Sequence, residues 1–312
     1  MNKKRLTVWE AACIITGYGI GGGVLAMPYL AAKNGVWLAL LILAAAFAAS
    51  WLLHMMIAEV AYKCGAGTQI VSVFSRFLFR GKAKLPLTIA FFALMAVVLV
   101  TNLAAYVAGA AEVIVGIFPA LPAVVAKLVF YVAAASVVLF GLKAVGVSEK
   151  IAVTAIFILI GALAISSLLV PPKPLPVRPG LAADALSYFG MAMFSFSAFF
   201  SIPQAVEGLE GDANKIKKAV FWGLMNNFIL IVVISLCALA ASDEVTEVVM
   251  TGWSRGIGAW AQVAGGAFTV LAMITTYWSI SLALGDIVKE QLGLDRRLCW
   301  LFATLPSLIL SL

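Results

Sequence analysis

The 312-residue sequence is 64% hydrophobic and only 11% charged, against roughly 45–50% and 25% in a soluble domain. That much apolar surface exceeds what one core can hide, so lipid is the solvent for most of the chain. The formal charge of +7 does not indicate nucleic acid, because the basic residues fall in short gaps between apolar runs.

A bilayer core needs about 20 apolar residues per helix. Nine candidate segments run over 7–31, 36–62, 86–117, 122–141, 149–170, 184–210, 216–241, 257–285 and 297–312. They are long, rich in Ala and Leu, and do not alternate. Helices rather than strands are expected, since each helix satisfies its own backbone in lipid. Residues 1–6 resemble the n-region of a signal peptide, with Ala31 and Ala32 as a mock cleavage site. The glycines that follow have a use of their own, so this segment is expected to be retained. The ninth run stops at residue 312, a short span, and the chain is expected to be truncated there.

Lys and Arg counted in alternate loops fall 16 on one side and 5 on the other. The larger group holds Lys3, Lys4, Arg5, Lys63, Arg76, Arg80, Lys82, Lys84, Lys143, Lys150, Lys215, Lys217, Lys218, Lys289, Arg296 and Arg297. The smaller holds Lys33, Lys127, Lys173, Arg178 and Arg255. The bias places the N-terminus in the cytoplasm of a multi-pass inner-membrane protein. After the fifth segment, prolines at 171, 172, 174, 176 and 179 form a stiff external linker. Five helices carry the chain from inside to outside, so a second set starts on the opposite side. That is the layout of an inverted repeat within one transmembrane domain, 1–170 and then 184–312.

Two segments carry breakers near mid-membrane. The first holds Thr16-Gly17-Tyr18-Gly19-Ile20-Gly21-Gly22-Gly23 and then Pro28, and each glycine weakens a helix by about 1 kcal/mol relative to Ala. The sixth holds Ser195-Phe196-Ser197-Ala198-Phe199-Phe200-Ser201-Ile202-Pro203. Paired breaks at corresponding places in two halves point to a transporter binding site. Freed N–H groups at a half-helix start attract a carboxylate. Freed carbonyls attract an ammonium or a metal ion, so one broken helix can hold an amino acid's backbone. Gly19 and Gly23 also spell GxxxG, a helix-packing motif, and that role stays open. The GxGxxG string from Gly17 to Gly22 lacks the strand and βαβ setting of a dinucleotide fold.

These stretches resemble the aromatic and hydroxy amino acid permeases of the amino acid–polyamine–organocation superfamily. The likeness lies in Gly17 to Pro28, in Ser195 to Pro203, in Ala105-Tyr106-Val107-Ala108-Gly109, and in Leu271-Ala272-Met273-Ile274-Thr275-Thr276 with Asp286 closing the helix. The resemblance implies the LeuT-like 5+5 fold, an all-α bundle with discontinuous helices one and six, here lacking helix ten. Several relatives carry a histidine in the sixth-helix break where this chain has Phe199.

The resemblance also implies roles. Gly19, Gly21, Gly22 and Gly23 offer backbone to the substrate, with Ser195 and Ser197 facing its ammonium and side chain. Tyr106 closes over it, and Asn102 lies one turn away. Thr275 and Thr276, with first-helix carbonyls near Thr16 and Gly19, resemble an oxygen-only sodium site. Their hydroxyls could equally bond the carbonyl one turn back. The lysine that some proton-coupled relatives place in helix five is missing after Lys150.

Among intramembrane acids, Glu207 is the candidate gate or proton carrier. Glu59 and Glu112 are read as helix-end acids reaching interfacial water. His54, the single histidine, is read as a packing residue. Cys13, Cys64, Cys237 and Cys299 are scattered and read as packing residues too. No GxSxG, HExxH or Walker loop is present, so no enzyme is indicated.

The expected function is a permease for a small neutral or aromatic amino acid, coupled to Na⁺ or H⁺ and needing no other cofactor. It is a monomer or homodimer, with the substrate and the lipid bilayer as partners. The alternative is a non-transporting receptor of the same fold, as in spore germinant sensing.

Overall fold

The structure, a computed structural model, describes residues 5–177, 180–242, 245–247 and 249–312. Lys3, Lys4 and Arg178 of the basic count, and Pro179 of the linker, lie outside the described residues. Helices α1 (Val8–Ile20) and α2 (Gly22–Asn34) make up the first segment, bent by 59° at their junction. Then follow α3 (Val36–Cys64), the short amphipathic α4 (Ile70–Phe77), α5 (Lys84–Ile117), α6 (Ala123–Leu139) and α7 (Leu142–Ser167). The sixth segment is split into α8 (Ala182–Ser195) and α9 (Ile202–Gly208). The rest is α10 (Ala213–Ala241), the short α11 (Val249–Ile257), α12 (Ala259–Leu292) and α13 (Arg296–Ser311). No strand occurs among the described residues.

Large apolar side chains lie on the outside as well as in the core, unlike in a water-soluble bundle. α1 is buried from Glu10 to Gly17 and is covered by α7, α10 and α12. α7 instead turns Ile151, Ile158 and Ile165 outward. Their seven-residue spacing stacks them on one face, an apolar stripe that only lipid can cover.

Two helices begin or end away from the apolar runs. α7 starts seven residues before its run, at Leu142, just after Gly141, whose φ of 83° only glycine adopts without strain. This carries Lys143 into the helix and sets Glu149 and Lys150 two turns inside it. α12 continues past Asp286 to Leu292, because no breaker intervenes before the left-handed Gly293.

Polar ties sort to two ends. At the end carrying the N-terminus, Thr7 and Glu10 form a reciprocal capping box, and Lys143 reaches the Glu10 carboxylate at 2.6 Å. There also the Leu6 N–H donates to the Gly208 carbonyl, and Arg296 donates to the Leu139 carbonyl. At the opposite end the Val36 N–H donates to the Pro176 carbonyl, and the Lys173 N–H to that of Ala240. The Trp253 indole donates to Ser167 at 2.7 Å, pinning α11 to the end of α7.

Candidate functional site

The first break is made by glycine. α1 ends at Ile20, Gly21 turns with φ −37° and ψ −145°, and α2 begins at Gly22 with no side chain capping its first turn. The C-terminal carbonyls of α1 and the N-terminal amides of α2 therefore meet at one place with opposite partial charges. The second break follows Ser195. Phe196 and Ala198 leave the helix, residues 199–201 make a single 3₁₀ turn, and Pro203 sits in the first turn of α9, where its missing N–H costs nothing.

The Ala198 N–H freed by that break is not left to the cavity. It donates to His54 Nε2 of α3 at 3.0 Å. His54 Nδ1 therefore carries the hydrogen and donates to the Ser50 carbonyl at 2.6 Å. The imidazole stacks on Phe199 with ring centroids 4.4 Å apart. This chain thus brings a histidine to the sixth-helix break from helix two.

Between the breaks lies a cavity of about 160 Å³, lined by Tyr18, Gly19, Gly21, Gly22, Gly23, Val98, Leu99, Asn102, Tyr106, Phe194, Ser197, Phe200, Thr276 and Ile280. It contains Asn102, Tyr106, Ser197 and the four glycines of the expected substrate set. A side chain at Gly22 would meet open space. One at Gly21 would strike the Tyr106 hydroxyl at 2.5 Å, and one at Gly23 the Ser195 hydroxyl at 2.4 Å. Ser195 thus stands behind Gly23 rather than on the cavity wall, and its hydroxyl bonds back to the Met191 carbonyl. Tyr18 and Phe200 stack at 6.4 Å across the two breaks.

The side chains of the expected sodium set point in different directions, while Thr276 meets a first-helix carbonyl. Thr16 faces α10, where its hydroxyl donates toward the Gly223 carbonyl and accepts from Asn226. Thr275 bonds back to the Ala272 carbonyl. Thr276 reaches the Gly17 carbonyl at 2.8 Å and lines the cavity. Gly19 packs against the Asn227 amide and the Ser195 carbonyl. The seam between α1 and α12 also holds the buried carboxyl of Glu149 from α7.

The sequence matches the model of the tryptophan/tyrosine permease family over residues 4–304. The chain belongs to the tryptophan/tyrosine permease family. No curated protein matches the sequence. Among solved structures the permease is similar to Mhp1, a nucleobase-cation-symport-1 family transporter, in a closed conformation with bromovinylhydantoin bound. The TM-score is 0.74 at 13% identity, over 98% of this chain and 72% of that one. It is also similar to MhsT in complex with L-phenylalanine, with a TM-score of 0.69 at 16% identity, over 99% of this chain and 79% of that one. These likenesses establish the LeuT-like fold, and with the family they make the chain a multi-pass membrane transporter.

Glu207 of this permease is not at the break. It lies on α9 at the end that carries the N-terminus, lining a cavity of about 200 Å³ with Asp286, Lys289 and Arg296. Glu59 pairs with Lys63 at 2.6 Å on an exposed helix end, and Glu112 is exposed. The four cysteines are free, two buried and two partly so.

Sequence reading missed three residues that the fold delivers to the breaks: His54 as an acceptor, Glu149, and Asn227. Both amide atoms of Asn227 are buried without partners, beside the point where Gly19 meets Ser195. A polar residue inside an apolar run was the available signal for His54 and Asn227.

Proposed function

We propose that this permease carries a neutral amino acid with an aromatic side chain, held as a zwitterion between the two helix breaks. The observation that carries the reading is that every residue lining the cavity is uncharged. The charges that match a zwitterion come from helix ends: the α2 amides at Gly21 to Gly23 for the carboxylate, and the α1 carbonyls for the ammonium. Val98, Leu99, Tyr106, Phe194, Phe200 and Ile280 supply an apolar, aromatic surround for the side chain. The cavity is smaller than the roughly 300–1,000 Å³ of a drug-sized ligand cleft, as suits a single metabolite. The family's description and the phenylalanine bound by MhsT favour the same class.

The N-terminal end faces the cytoplasm in a bacterial-type inner membrane, and residues 1–170 and 184–312 act as the two repeats that rock around the cavity. Uptake is driven by a cation, Na⁺ or H⁺. Glu207, Asp286, Lys289 and Arg296 form the charged cluster at the cytoplasmic mouth, where an inner gate belongs. The protein works as a monomer or homodimer.

The test is thermal-shift binding and counterflow with L-tryptophan, L-tyrosine and L-serine, on wild type and Gly22→Leu. A bound ligand raises the melting point by mass action. The aromatic amino acids should stabilise the wild type, and Gly22→Leu, which fills the open space at the α2 start, should fold normally but lose the shift. Unchanged binding in Gly22→Leu would sink the site.

A further inference from the structure

We propose that Glu149 is the proton-binding residue of this permease, and that its proton clamps α1 against α12 beside the substrate cavity. Its role in coupling rests on the transport reading above; its site rests on geometry alone. Glu149 lies two turns into α7 with no solvent exposure. Its Oε1 stands 2.7 Å from Ser279 Oγ on α12, and its Oε2 has no partner. The carboxyl lies so close to α1 that a methyl group on Gly17 would sit 2.0 Å from Oε2.

Counting hydrogens decides what this arrangement holds. Ser279 has one hydroxyl hydrogen and two oxygens within reach, the Ile14 carbonyl at 3.1 Å and Glu149 Oε1 at 2.7 Å. A carboxylate would leave two acceptors competing for that hydrogen and bury a net charge without a counter-ion. A carboxylic acid satisfies both contacts: Glu149 donates to Ser279 Oγ, and Ser279 donates to the Ile14 carbonyl. The proton thereby ties α7, α12 and α1 in one chain.

No basic side chain among the described residues pairs with this carboxyl. On α1 its titratable neighbours are the Cys13 thiol and Glu10, and Glu10 is already held by Lys143. Lys150 follows it on α7 but projects to a partly exposed face. α12 presents hydroxyls at this level, its Tyr277 being bonded to Ser307 and its Asp286 lying two turns on. α10 presents Asn226 and Asn227, with its lysines in the first two turns. The charged groups on α6, α9 and α11 are Lys127, which bonds the Ser311 carbonyl, Glu207 in the other cavity, and Arg255 near the opposite end.

The seam joins the proton to the substrate. Thr276 lies one turn before Ser279 on the same face of α12. It bonds the Gly17 carbonyl and, with Tyr106, packs against Gly21 at the cavity. Losing the proton leaves a carboxylate that must reach water or a cation, and the part of α1 that must yield is the part bearing the substrate break.

The test uses the purified full-length chain. Difference infrared spectroscopy at neutral pH in Na⁺-free buffer should show the carbonyl stretch of a protonated carboxyl. Glu149→Gln, which keeps the size and can still donate to Ser279, should remove it, and Ser279→Ala should move it. In proteoliposomes, Glu149→Gln should lose proton-gradient-driven accumulation of radiolabelled L-tryptophan to the level of protein-free vesicles while keeping counterflow. The proposal is overturned by an ionised Glu149 under those conditions, or by proton-driven accumulation that survives in Glu149→Gln. It is overturned as well by a Na⁺ dependence that Glu149→Gln abolishes, which would make the carboxylate a sodium ligand. If the wild type neither exchanges nor accumulates L-tryptophan or L-tyrosine, the transport reading fails alone, and the infrared band still decides whether Glu149 holds a proton.

Discussion

Replacing His54 by phenylalanine isolates what the imidazole does for the second break. Phenylalanine keeps a flat ring against Phe199, so packing is largely preserved, but it cannot accept the Ala198 N–H that now ends on Nε2 at 3.0 Å. A buried backbone donor left unpaired costs about 1–3 kcal/mol. The Nδ1 hydrogen bond to Ser50 adds little, since that carbonyl already lies within α3. In a chain of this size the loss amounts to a few degrees of apparent melting temperature, read in detergent at a fixed scan rate. Ala198 is flanked by Ser197 and lies two residues before Phe200, both on the cavity wall. If binding must restore the break, the same energy weakens affinity for L-tryptophan by roughly 5- to 150-fold. His54→Gln, whose amide oxygen can accept the same N–H, should recover part of both losses. Wild-type melting and wild-type counterflow in His54→Phe would mean that the N–H finds another acceptor and the imidazole only fills space.

Gly17→Ala should destabilise the fold by about 1–3 kcal/mol, because its methyl group overlaps the Glu149 carboxyl. Adding Glu149→Ala should restore much of that loss, a coupling that a double-mutant cycle of melting temperatures measures. Asn227→Leu should leave stability unchanged or raised, since it removes a buried amide with no partner, yet should abolish ligand-induced stabilisation if that amide serves the binding region. Lys143→Met should cost about 1 kcal/mol, a modest figure because the lysine is half exposed although its partner Glu10 is buried; thermal scans of the two proteins side by side check it.

The membrane class, the segment order and the two breaks were legible because each depends on the residues that make it. Gly21 and Pro203 act on their own backbone, and a run of apolar side chains meets lipid whatever its neighbours are. The cavity glycines and Ser197 lie in those breaks, and Asn102 and Tyr106 came with the family resemblance. Glu149 escaped because Lys143, Glu149 and Lys150 look like a polar helix start, whereas α7 begins earlier, at Leu142, and draws the carboxyl inside. His54 and Asn227 are polar residues in apolar runs, but the groups they face, at Ala198 and Gly19, lie far away in the chain. Thr16 and Thr276 sit on helices that touch, yet Thr16 turns to α10 and Thr276 to α1. Local composition therefore determined where the chain enters lipid and where its helices break. Tertiary packing alone decided which buried polar atoms face each other, because a hydrogen bond depends on the group opposite, and the order of residues does not record that.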